Sequence, residues 1–299
     1  MAVKATAIAY SAAARAGWRR YLPALSLLAP LLVFLAIFYA VPLGHMVGES
    51  LKPSPSDSVQ TGLTAKQYER VADNGRSYRG LERTLRLSLI ATAITFLLAY
   101  PLALLLLQTR PRLRTFILIA IFVSLASSLI VRNYGWLVML ADAGPVNKLL
   151  LGLGLVDRPQ RIVYSEAATI VALVHYCLPF MILPIYGALL RIPASYGEAA
   201  QSLGAAPFRA LGNIVLPLSI AGIFGGTTLS FAICMSAFVT PLMLGSPATA
   251  MISQIAAEQF LIQLNFPYGS AMIVVLTLIT FTIVFLYGLA IRKLFRTDV

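Results

Sequence analysis

The sequence predicts an all-α integral membrane protein with six transmembrane helices, on three observations. Hydrophobic residues fill 59% of its 299 positions and charged residues 11%, with a mean hydropathy of +0.83, whereas soluble domains carry about a quarter charged residues. Apolar runs of about 20 residues recur along the chain, each long enough to cross roughly 30 Å of hydrocarbon as a helix. Lys and Arg gather in alternate connections between those runs, as the cytoplasmic excess of basic residues requires.

Residues 1–21 form an alanine-rich leader with Lys4, Arg15, Arg19 and Arg20. A helix along the inner headgroups and a flexible tail both fit it. The transmembrane domain then covers 22–293, beginning with a span from Leu22 to Val47. That run has no small-residue cleavage pattern and exceeds a signal peptide's apolar region, so it is expected to stay as an anchor. Lys52-Pro53-Ser54-Pro55-Ser56-Asp57 opens a turn-rich outer loop, and apolar positions at Tyr68, Val71, Tyr78, Leu81 and Leu85 predict short amphipathic helices on the outer face. Further spans are expected over Thr84 to Leu107, Thr115 to Leu140, Ile162 to Leu190, Leu216 to Leu244 and Tyr268 to Lys293. The polar break at 191–217 lies between the fourth and fifth, and 294–299 form a short tail. Six spans put both termini on one side.

With the N-terminus inside, twelve of the 23 basic residues fall on the cytoplasmic side, against two acids, Glu198 and Asp298. The loop from Gly48 to Arg83 is also basic, but Glu49, Asp57, Glu69, Asp73 and Glu82 offset most of its charge. The net charge of +12 is spread over membrane flanks and forms no stripe interleaved with aromatics, which argues for anionic lipid headgroups and against nucleic acid. Cys177 and Cys234 lie in apolar spans and His45 and His175 are far apart, so neither pair has the spacing of a metal site or a disulfide framework.

The polar break has its own local logic. Ser195 and Glu198 have the spacing of a capping box, with the serine as N-cap. Ala199, Ala200 and Leu203 continue a helix, and Gly204 is suited to the left-handed residue that ends it after about two turns. Pro207 permits a second helical start, and Pro217 marks the bend into the next span.

Glu198-Ala199-Ala200, three residues, Gly204, nine residues and Ile214-Val215-Leu216-Pro217 together resemble the EAA motif of permease subunits in binding-protein-dependent ABC importers, with every motif position filled. The resemblance runs from about Leu81 to Ile291 and narrows to the polyamine-type permeases. Ser127-Ser128-Leu129-Ile130-Val131-Arg132-Asn133-Tyr134-Gly135-Trp136 is similar to their third span, and Leu178-Pro179-Phe180-Met181-Ile182-Leu183-Pro184-Ile185-Tyr186 to their fourth. It implies a type I importer fold in which Ser195, Glu198, Ala199, Ala200, Leu203, Gly204 and Pro217 belong to a cytoplasmic coupling helix and its exit. It also implies a bacterial inner-membrane location, a second and different permease subunit, two ATP-binding subunits and a periplasmic solute-binding protein. No phosphate-binding G-x-x-x-x-G-K-[ST] loop occurs in the chain. The expectation is therefore a transport subunit that is not an enzyme and holds no cofactor, with ATP and Mg bound by the partner.

Arg132 is the one clearly intramembrane charge, and such a residue costs about 2.5 to 3.5 kcal/mol on insertion scales. Counting from Thr115 puts it roughly 26 Å up a continuous helix, near the outer surface. A gate or packing role and an outer-interface anchor both fit. Tyr134 and Trp136 suit either an aromatic belt or an outer cavity. His175, Tyr176, Ser230, Ser236 and Thr240 are pathway candidates or helix-packing groups. Gly222 and Gly226 have the spacing of a close helix contact, and Met235, Met243 and Met251 suit core filling or adaptable cavity surface. The acids nearest the outer ends of the later spans are Asp142, Glu166 and Glu258, too few for an evident polycation cage. Putrescine or spermidine is the expected cargo by resemblance; an amino-acid-like zwitterion or another small ion is the alternative within the class. A gradient-driven secondary transporter would require an intramembrane acidic site, and a purely structural membrane protein would support no uptake.

Overall fold

The computed structural model of the protein describes residues 27–55, 57, 62–202 and 204–295. The leader, the expected start of the first span at Leu22, Leu203 and the end of the tail lie outside these. Among the described residues every regular element is helical. In order they are α1 (Leu27–Ser50), α2 (Lys66–Asp73), α3 (Gly75–Gln108), α4 (Pro111–Ala126), α5 (Leu129–Leu140), α6 (Pro145–Gly152) and α7 (Glu166–Leu189). There follow α8 (Ala194–Ser202), α9 (Pro207–Leu218), α10 (Ile220–Met235), α11 (Val239–Leu244), a single 3-10 turn (Pro247–Thr249), α12 (Ile252–Leu261) and α13 (Phe266–Phe295).

Helices α1, α3, α7 and α13 are each long and apolar enough to cross a membrane alone. Two bent pairs, α4 with α5 and α9 with α10, bring the total to six. The core is α3, α7 and α10. The buried face of α3 carries Gly80, Thr84, Ser88, Ala91, Thr95, Ala99 and Ala103 at helical spacing. This stripe of small side chains lets its neighbours approach closely where lipid supplies no hydrophobic drive. The threonine hydroxyls are absorbed locally, Thr84 Oγ1 donating to the Gly80 carbonyl at 2.7 Å and Thr95 Oγ1 to that of Ala91 at 2.6 Å. Leucines and phenylalanines such as Leu97, Phe122, Phe281 and Phe285 face outward, the arrangement a hydrocarbon solvent favours.

Three expected spans differ in form. The second begins at Gly75, nine residues early, because Asn74 caps the helix by accepting from the Arg76 amide at 2.9 Å and the outer amphipathic segment runs straight into the span. The third is not one helix: its halves meet at 103° across Ser127 and Ser128, both extended, with ψ of 137° and 135°. Ser127 Oγ bonds the Val123 carbonyl at 2.8 Å, the local competition by which serine ends a helix. Arg132 therefore does not stand 26 Å up a straight helix. The fifth is broken twice, by a 70° bend at Ser219, two residues after Pro217, and by an interruption at 236–238. Ser253 Oγ donates to the Ala237 carbonyl at 2.5 Å, satisfying backbone that the interruption frees.

Candidate functional site

Helix α8 occupies the polar break and starts at Ala194, with the Tyr196 amide bonded to the Pro193 carbonyl at 3.2 Å. Ser195 thus stands inside the first turn and is not the N-cap that the capping-box spacing suggested; the helix takes one more residue, directly after Pro193. The side chain of Glu198 and all of Leu203 lie outside the described residues. Ala199 is exposed and Ala200 buried. Gly204 has φ +83°, and the Ala205 amide donates to the Ala200 carbonyl at 3.0 Å. That six-to-one bond with a left-handed glycine is a Schellman closure. Pro207 then opens α9 with the amides of Arg209 and Ala210 on the Ala206 carbonyl. Beside this hairpin is a cavity of about 510 Å³ whose lining includes Leu107, Leu190, Pro193, Gly197, Phe208 and Leu211. Phe208, which the sequence reading passed over, is 88% exposed.

At the break between α4 and α5, Arg132 is only 8% exposed. Its guanidinium donates to the carbonyls of Ser124 and, at 3.2 Å, Ser127, and it lies 5.2 Å from the centre of the Tyr176 ring. It therefore caps the orphan carbonyls and the negative dipole end of α4. Nη1 has no partner among the described residues. Trp136 Nε1 donates to His175 Nδ1 at 3.0 Å, the two rings edge to face. Asn133, missed in the sequence, is buried against Thr240, with the two side chains bonded at 3.2 and 3.4 Å. The structure thus gathers Arg132, Trp136, His175, Tyr176 and Thr240 around the broken third span. Tyr134 points away and is 61% exposed.

Ser236 returns its hydroxyl to the Ala232 and Ile233 carbonyls and lines a separate cavity of about 370 Å³ between α10 and α13, with Thr228, Thr277, Thr280 and Phe281. The three threonines carried no distinguishing sequence signal. Ser230 is fully buried, as are Met235 and Met251, while Met243 is partly covered. Cys177 and Cys234, 57 positions apart, stand with their sulfurs 3.5 Å from each other, both free.

At the far end of the helices, two of the three outer acids are engaged. Glu166 accepts from Arg83 at 2.9 Å and from Arg86 at 2.9 and 3.0 Å. Glu258 takes a two-pronged contact from Arg76 at 3.0 and 2.6 Å, which holds its carboxyl below the ordinary glutamate range. In the loop before α2, Asp57 is likewise lowered, first by the Ser54 backbone amide and then by Lys66, Gln67 and Arg70.

Replacing Arg132 by leucine leaves buried carbonyls without their donor, a loss of about 1–3 kcal/mol. Arg132→Leu is expected to lower the melting temperature in detergent by several degrees, with Arg132→Lys intermediate because a point charge retains one contact. An unchanged melting curve for the leucine variant would remove the capping role.

Over residues 7–296 the chain matches the family described as binding-protein-dependent transport system inner membrane component. It belongs to that family. Among similar proteins are the spermidine/putrescine transport system permease protein PotB of Haemophilus influenzae, 34% identical over 79% of both chains, and PotB of Escherichia coli, 30% identical over 87% of this chain and 95% of the relative. A bacterial alginate ABC transporter, solved with an alginate pentasaccharide-bound periplasmic protein, superposes with a TM-score of 0.78 at 17% identity, covering 94% of this chain and 98% of the other. The fold of this inner membrane component is thus the type I importer permease fold that the motif implied. Its relatives are transport permeases of the inner membrane.

Proposed function

We propose that this inner membrane component is one of two permease subunits of an ABC importer that carries a polyamine, putrescine or spermidine, into the cytoplasm. The observation that carries the reading is α8, a short helix closed at Gly204 that follows α7 and packs against α9, which runs on into α10, so that displacement of α8 reaches α7 and α10, two of the three core helices. Ser195, Glu198, Ala199, Ala200, Leu203, Gly204 and Pro217 form the coupling element and its exit, and the exposed Phe208 extends it. The partner ATPase binds ATP and Mg and grips this element; nucleotide turnover there tilts α7 and α10 between inward-open and outward-open states. The chain itself catalyses nothing and holds no cofactor.

In this reading 22–293 are the transmembrane domain, residues 1–21 and 294–299 lie in the cytoplasm, and two ATPase copies, a second permease and a periplasmic binding protein complete the complex. Similarity to PotB supports the cargo. The engaged state of Glu166 and Glu258 is consistent with a permease that leaves selection to its binding protein. The cluster of Arg132, Trp136, His175, Tyr176 and Thr240 gates the path, and the 370 Å³ cavity at Ser236 lies along it. One observation favours a second cargo class: the unpartnered Nη1 of Arg132 is a donor suited to a carboxylate, as on an amino-acid-like zwitterion.

The test is uptake of labelled putrescine by proteoliposomes holding both permeases. Accumulation should require the ATPase with ATP and the binding protein on the opposite face. Full-rate uptake driven by an ion gradient with the ATPase omitted would end this reading.

A further inference from the structure

Two of the longest helices begin at one small polar cavity, at the end of the bundle opposite α8. Helix α3, of 34 residues, starts at Asn74, whose Oδ1 accepts from the amides of Arg76 and Ser77 at 2.9 and 3.4 Å. Helix α13, of 30 residues, starts after Asn265, whose Oδ1 accepts from the Tyr268 amide at 3.3 Å. Both asparagines line a cavity of about 320 Å³ together with Arg70, Arg76, Gln259 and Gln263.

The lining is rich in donors. The cap carbonyls of Asn74 and Asn265 are used, which leaves their amino groups as free donors. Two guanidinia line the cavity and no carboxylate does. Arg70 is held by Asp57 at 2.7 Å and Arg76 by Glu258; each keeps N–H groups to spare, since a guanidinium carries five. The positive ends of two helix dipoles add to this. Gln259 is the independent indication of a ligand: it is 5% exposed, and its carboxamide takes part in none of the hydrogen bonds among the described residues. Its nitrogen and oxygen keep contact with open space although the residue is buried, so the amide is presented to the cavity it lines.

We infer that this cavity is a socket for a carboxylate side chain, Asp or Glu, presented by the solute-delivering binding protein. The inference rests on the importer reading above, which puts this end of the helices in the compartment from which solute arrives. The cavity sits at the ends of the helices and not along a path between them, and a carboxylate is the wrong charge for the proposed cargo. A docked protein group fits both facts.

The complete importer in lipid nanodiscs supplies the test, with ATP hydrolysis followed against the concentration of solute-loaded binding protein. Gln259→Leu removes the free amide, and Gln259→Glu fills the socket with a tethered carboxylate. Both should raise the half-saturating concentration about tenfold, the scale of losing a buried charge-assisted contact, with the maximal rate retained. Excess acetate in place of chloride should weaken stimulation of the wild type in the same way, which needs no variant to fold. Wild-type curves from both variants would overturn the socket. Acetate that raises the importer's melting temperature without affecting stimulation would overturn the partner, assigning the site to a free carboxylate. A wild-type importer whose hydrolysis ignores the binding protein would overturn the importer reading itself, so the two failures are told apart by the wild type alone.

Discussion

Replacement of Gly204 by valine is expected to cut ATP-driven uptake about tenfold while the permease stays inserted at normal abundance, whereas Gly204→Asn keeps most of it. Gly204 sits at φ +83°, and a β-carbon there would meet nothing within 4 Å, so a clash of the β-carbon does not explain a loss. Torsion can. The left-handed region costs a β-branched residue about 1–2 kcal/mol or more, and asparagine tolerates it better. Valine therefore opens the Schellman closure between Ala205 and Ala200 and lets α8 swing relative to α9. A coupling helix must hold a fixed pose to transmit force, so a loss of pose that leaves folding intact appears as lost coupling. The stronger combination Glu198→Arg with Gly204→Asp should abolish co-purification of the ATPase. Equal uptake from the valine, asparagine and wild-type proteins would deny α8 that role.

How far the sequence disclosed this molecule depends on the length scale of the signal. Spans of twenty apolar residues are legible because hydrocarbon imposes their length: four stand as single helices and two as bent pairs near where hydropathy puts them, the start of the first lying outside the described residues. Gly204 was legible because only backbone handedness explains a glycine after a two-turn helix. The breaks were not. Ser127-Ser128 and 236–238 interrupt apolar runs that still read as spans by hydropathy, and whether a serine pair ends a helix depends on what stabilises the exposed carbonyls. Here that is Arg132, eight and five residues beyond the Ser124 and Ser127 carbonyls to which it donates, and Ser253 from a different element. The ion pairs Arg76–Glu258 and Arg83–Glu166 join residues 182 and 83 positions apart, beyond any local pattern. Helix α12 was missed for a related reason: ten residues with Gln254, Glu258 and Gln259 do not read as a span, yet they pack against α13 at the end of the bundle opposite α8.

The close contact of α7 with α10 sets the second large effect. Alanine at Gly222 would put its β-carbon 2.5 Å from the Ala188 β-carbon and 2.6 Å from the Pro184 carbonyl oxygen, while at Gly225, one turn along the same helix, the nearest atom is 3.9 Å away. The same substitution thus meets backbone at one position and an ordinary van der Waals contact at the other. Overpacking against backbone costs about 1–3 kcal/mol, while a helical Gly→Ala change without a clash gains up to about 1 kcal/mol. Gly222→Ala is expected to lower the melting temperature by several degrees and Gly225→Ala to hold or raise it. Because α8 connects to α7 on one side and through α9 to α10 on the other, Gly222→Ala should also reduce uptake by more than its effect on abundance, as the two arms no longer move together. Adding Ala188→Gly removes the first clash and leaves the Pro184 carbonyl, so the double variant should recover part of the stability and not all of it. Identical melting curves for the two single alanine variants would mean that α7 and α10 are not clamped at Gly222, and that α8 acts on one arm alone.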